Sequence, residues 1–146
     1  MQKALEEKGI ELAGILLDFE ANIDGQDLKT LQDTPLIAAA SMYANQLAKY
    51  YLSKGANLHH QGCFGGTALH WAAWCGGVEL LEVLLQKDLD LNQKCLEFTS
   101  TPLFWAVHGT YQDKNMTRSA HLKSIELLVN AGADKNIPNK TSPKPI

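Results

Sequence analysis

Residues 67–74 read Thr67-Ala68-Leu69-His70-Trp71-Ala72-Ala73-Trp74. A hydroxyl residue ahead of a short apolar run is a helix-start signal, because its side-chain oxygen satisfies a backbone N–H that the helix leaves unpaired. The two alanines leave room for a second helix to approach. His70 is a catalytic group or a piece of architecture, and recurrence decides which. Thr34-Pro35-Leu36-Ile37-Ala38-Ala39-Ala40 stands 33 residues earlier, and Thr101-Pro102-Leu103-Phe104-Trp105-Ala106-Val107 follows 34 residues later. Ile37 and Phe104 share the column of His70, so that column is no catalytic set.

A second figure trails each copy: YYLSKGANL at 50–58, VLLQKDLDL at 83–91 and LLVNAGADK at 127–135, with ILLDFEANI at 15–23 fitting the same template. Pro35 and Pro102 fall in a first helical turn, where a missing N–H costs nothing. Leu47, Tyr50 and Tyr51, then Leu80, Val83 and Leu84, then Ile125, Leu127 and Leu128 recur at helical spacing. Gly55 and Gly132 supply the left-handed residue that ends a helix. The chain thus reads as copies of one helical hairpin, each too small to bury its apolar face alone and so stacked on its neighbours.

The period and the T-P-L-H string resemble the ankyrin repeat. The resemblance covers residues 1 to about 140, and phrases such as FGGTALHWAAWCG are similar to those of small stand-alone bacterial ankyrin proteins. It implies an all-α solenoid of helix-turn-helix units with β-turn fingers. Repeats are expected at about 1–32, 33–65, 66–99 and 100–140, the first clipped, with Ala4-Leu5 on its alanine pair and its helices weakened by Gly9 and Gly14. An insertion occupies about 111–120, read as a surface loop or lengthened helix end. A tail at 141–146 is expected to be disordered.

The resemblance also implies a protein partner held in a concave groove, with no chemistry and no cofactor. It assigns Thr34, Thr67, His70, Thr101, Gly55 and Gly132 to structure, with the His70 imidazole bonded to nearby backbone. Trp71 and Trp105 face the adjacent repeat as core. Ser41, Met42, Trp74, Cys75 and His108 fall at the inner-helix end that faces the groove, where Trp74 is either an interface anchor, a frequent role of Trp, or folded over the edge of its own repeat. On the fingers, Leu31, Phe64 and Phe98 form an apolar column, flanked by Cys63, Glu97 and Ser100; it either stacks on itself or meets a ligand.

Composition sets the remaining bounds. The 146 residues carry a formal charge of −3 with no basic block, which argues against nucleic acid. No stretch suits a bilayer or a signal peptide, so a cytoplasmic monomer is expected. Cys63, Cys75 and Cys95 are odd in number and unpaired in spacing, as in a reducing compartment. No phosphate loop, serine elbow or dinucleotide fingerprint is present. The rival reading from another class is a metal- or redox-responsive protein using His59, His60, Cys63 and Cys95, although zinc ligands ordinarily show tighter spacing. Within the binding class, the chain is expected to inhibit an enzyme of its own cell or to act as a secreted effector on a host protein.

Overall fold

The computed structural model describes residues 2–26, 32–112 and 118–138. Its regular elements are seven α-helices: α1 (Gln2–Asp18), α2 (Pro35–Ser41), α3 (Asn45–Ser53), α4 (Ala68–Trp74), α5 (Val78–Leu84), α6 (Pro102–Gln112) and α7 (Arg118–Asn130). Among the described residues a 3-10 turn spans Cys63–Gly65. No β-strand occurs among the described residues, and the fold is an all-α solenoid.

Each threonine of the repeated figure does the same work. Thr34, Thr67 and Thr101 are all buried, and their hydroxyls accept the backbone N–H of Ile37, His70 and Phe104 at the starts of α2, α4 and α6. These helices form an inner layer, α4 lying between α2 and α6. Helices α1, α3, α5 and α7 stack in the same order as an outer layer, and hairpins join α2 to α3, α4 to α5 and α6 to α7. The core sits between the layers. Ala39, Ala72 and Ala106 fill one buried column, facing Leu52, Leu80, Leu81, Leu84 and Leu128 of the outer helices.

Close approach is built into the inner layer. A methyl group on Gly109 would collide with the Trp74 carbonyl, so α6 lies against α4 only because that position has no side chain. The outer helices of the second and fourth repeats end as the sequence suggests. Gly55 (φ 86°) and Gly132 (φ 104°) adopt the left-handed conformation, and the N–H of Ala56 and of Ala133 bond back to Tyr51 and Leu128.

The N-terminal region differs from expectation. Residues 2–18 form one unbroken 17-residue helix rather than a clipped pair of helices. The Thr-Pro opening is missing, and nothing in this stretch supplies a left-handed residue like those that turn the α2–α3 and α4–α5 hairpins, Tyr43 (φ 62°) and Gly76 (φ 65°). Helix α1 packs on α3 in the outer layer, and Gly9 and Gly14, expected to weaken helices here, instead meet Leu47 and Tyr50 of α3. Glu6 accepts the N–H groups of Gln46 and Leu47, so a carboxylate from α1 caps the start of α3.

The insertion lengthens helices in its described part: Tyr111 and Gln112 end α6, and Arg118–Ala120 begin α7. Its centre, Leu31 of the finger column and the tail at 141–146 lie outside the described residues. No described helix is long and apolar enough to cross a membrane.

Candidate protein-binding face

His70 is completely buried, and its ring ties two repeats together. Nδ1 accepts the Thr67 N–H at 3.1 Å and meets the Thr67 hydroxyl at 2.9 Å, while Nε2 bonds the Ser100 carbonyl at 3.1 Å. One tautomer satisfies all three, with the proton on Nε2. Burial pushes the imidazole pKa down to about 4 against smaller opposing contributions from the Ser100 and Gln93 backbone, which keeps the ring neutral.

Around His70 the aromatic side chains form a continuous row. Trp105 is buried and takes His70, Trp71 and Trp74 on its faces and edges, at centroid separations of 5.2, 5.1 and 6.0 Å. Trp71 continues to Phe64 and Phe64 to Phe98, whose rings are 5.7 Å apart. Trp74 is half-buried and stacks on the exposed His108 with ring planes 13° apart, and His108 meets Phe104. Such offset and edge-on pairs add roughly 1 kcal/mol each beyond their buried area. The Trp71 indole N–H is buried and has no hydrogen-bond partner among the described residues.

The fingers hold the outer part of the row. The backbones at Phe64 and Gly65 accept the N–H groups of Glu97 and Leu96, and the Gln61 amide donates to the Gly65 and Lys94 carbonyls. Phe64 itself adopts φ 57°, an unusual conformation for a residue with a side chain, and presents its ring with 41% of its surface exposed. The finger column therefore both stacks and stays open to solvent. Beyond the fingers, short polar side chains bond from repeat to repeat: the Asn57 N–H donates to Asp24 and the Asp134 N–H to Asn92. Asn22, Asn57, Asp90 and Asp134 each close a local turn two residues on. This ladder was missed, although the recurring strings Asn22-Ile23-Asp24, Asp90-Leu91-Asn92 and Asp134-Lys135-Asn136 carry it.

The residues singled out from sequence do not all share one surface. Met42 is 70% exposed, His108 and Glu97 are exposed, and Ser41, Trp74 and Phe98 are half-buried. Cys75, expected at the groove, is 2% exposed, caps the end of α4 and directs its thiol at the Ser41 carbonyl, which leaves its side chain almost no open surface. The proposed metal cluster is not assembled either. The Cys95 sulfur accepts the Ser100 N–H, His60 bonds the Gln32 carbonyl, and His59 is exposed on its finger. Burial, with Asp33 and Glu97 nearby, pushes the Cys63 thiol pKa up, away from the thiolate a metal or oxidant needs. No group of three His, Cys, Asp or Glu among the described residues is placed to hold an ion.

The family description "Ankyrin repeats (3 copies)" matches residues 1–95 and 45–139. The chain is 29% identical over 118 residues to the ANK repeat-containing protein nipk-1 of Caenorhabditis elegans, covering 78% of this chain and 19% of that protein. It is 29% identical over 122 residues to the ankyrin repeat and KH domain-containing protein mask of Drosophila melanogaster, covering 82% of this chain and 3% of that protein. Over 71 residues it is 35% identical to the palmitoyltransferase Hip14 of Drosophila melanogaster, covering 49% of this chain and 10% of that protein. The chain thus spans a fifth or less of these curated relatives, which are all animal proteins. Matching figures in series, threonine caps in like surroundings and a two-layered stack of hairpins agree with the family match: this chain belongs to the ankyrin-repeat family.

Proposed function

We propose that the chain binds a partner protein through the inner-helix ends and the fingers, with Met42, Phe64, Trp74, Glu97, Phe98 and His108 in contact and Ser41 at the rim. The observation that carries this reading is the row of rings that begins in the core and ends on the surface at Phe64 and His108. The array fixes these side chains before binding, so little rotamer entropy is lost on association. Aromatic side chains seated over a dry support are where interface energy concentrates. The role is binding without chemistry. Inhibition of a cellular enzyme and action as a secreted effector would use the same face, and the identity of the partner separates them.

Affinity capture with the intact chain, compared with a Met42→Ala/His108→Ala variant, tests the reading. Both side chains are exposed, so the variant should melt close to the parent while losing the captured protein. Trp74→Ala should weaken binding by ~2 kcal/mol or more and also lower stability, since its ring meets Trp105 edge-on. Equal capture by all three proteins would remove this face from consideration.

A further inference from the structure

The inner helices bring no charge to the binding face: α2, α4 and α6 contain no Asp, Glu, Lys or Arg. The charge a partner meets there comes from the fingers. Two carboxylates reach the finger between α3 and α4 from its two neighbours. Asp33, on the finger before, accepts the Cys63 N–H at 2.7 Å. Glu97, on the finger after, donates its backbone N–H to the Phe64 carbonyl at 3.3 Å and is exposed. Lys94 shares the finger of Glu97, yet the field at this tip is negative: burial, then Asp33 and Glu97, push the Cys63 thiol pKa up.

Apolar surface lies in the same place. Phe64 keeps 41% of its surface open and Leu96 69%, and Phe98 stacks on Phe64 with the ring planes 30° apart. The backbone at Phe64 is left-handed (φ 57°), a conformation that costs any residue with a Cβ. A phenyl ring is held at the fingertip despite that cost, and strain of this kind gathers at binding sites. A ring face beside a carboxylate is selective. An uncharged apolar group would leave a desolvated Glu97 unpaired, and an anion would be repelled. A guanidinium satisfies both: its plane lies against a ring and its N–H groups fork onto a carboxylate. An ammonium has the charge without the plane.

We propose that the partner presents an arginine side chain to this fingertip, with its guanidinium against the open face of Phe64 and paired with Glu97. Asp33 already accepts the Cys63 N–H, so it adds charge, while Glu97 takes the new hydrogen bonds. Leu96 receives an apolar neighbour of the arginine. The proposal rests on the reading of this face as protein-binding and adds the chemistry of what it holds.

Two capped tripeptides test it: acetyl-Leu-Arg-Leu-amide, and the same peptide with citrulline, which keeps a planar head without the charge. In amide correlation spectra of the full chain, the arginine peptide should shift Cys63, Phe64, Glu97 and Phe98 saturably. The citrulline peptide should bind about fivefold more weakly, and added salt should narrow the difference. Glu97→Gln and Phe64→Leu should each weaken the arginine peptide by a similar factor. Glu97 is exposed, so its variant keeps the fold and decides the matter even where Phe64→Leu lowers stability. Equal binding of the two peptides, no saturable binding, shifts centred away from the fingers, or a Glu97→Gln chain that binds like the parent would each overturn the arginine assignment. Should Met42→Ala/His108→Ala still lose its captured protein in that case, the binding face stands and only its cationic ligand falls.

Discussion

At the scale of single residues, His70 shows why a buried titratable group need not be a catalyst. Its two nitrogens are spent on Thr67 and Ser100, and burial holds its folded pKa at about 4. An unfolded chain takes up the same proton near pH 6.5. Support for the fold is therefore complete above pH 6.5 and falls as the pH drops through the window down to 4, by about 3 kcal/mol in all. Denaturant midpoints measured from pH 7 to pH 4 should show this slope, and His70→Ala should flatten it. The same substitution should cost about 3 kcal/mol at pH 7, because a buried N–H and a buried carbonyl lose their partner. The structural role of His70 was legible in the sequence because its column holds Ile37 and Phe104. The fate of Cys75 was not. It follows Trp74 by one residue at the end of α4, and only the path of the chain shows that its thiol turns inward.

Between elements, the spacing of α4 and α6 depends on an absent side chain. Gly109→Ala should push the helices apart at the Trp74 carbonyl and destabilise the protein by about 2 kcal/mol, an overpacking cost visible in thermal melts. The finger ladder makes a gentler expectation. Asp24→Ala and Asn92→Ala should each cost about 1 kcal/mol by removing one inter-repeat hydrogen bond, and the pair should add, since they bridge different repeats. Helices α2 to α7 were readable from sequence because their caps and apolar columns repeat in register. Helix α1 was not, since its residues match the outer-helix figure but lack both the cap and the turn that would split them. Gly9 and Gly14 read as weaknesses until the helix opposite them was in place.

Across the whole molecule, stability in a stacked array is a sum of repeat terms and nearest-neighbour terms, so position along the stack matters as much as local packing. Length, charge and the repeated figure were enough to name the architecture, because each copy confirms the others. The functional face was only partly readable, since exposure at the end of an inner helix differs between neighbours such as Met42 and Cys75. The helix α1 has a further consequence. It rests chiefly on α3, held by Glu6, Ala13 and two glycine contacts, while α4 packs against α2, α5, α6 and α7. In dilute solution its amides should exchange with deuterium first, well before those of α4, as peripheral units open below the global unfolding energy. The chain then has a latch at one end: loosening it bares the Leu47 and Tyr50 surface without disturbing the rings around Trp105.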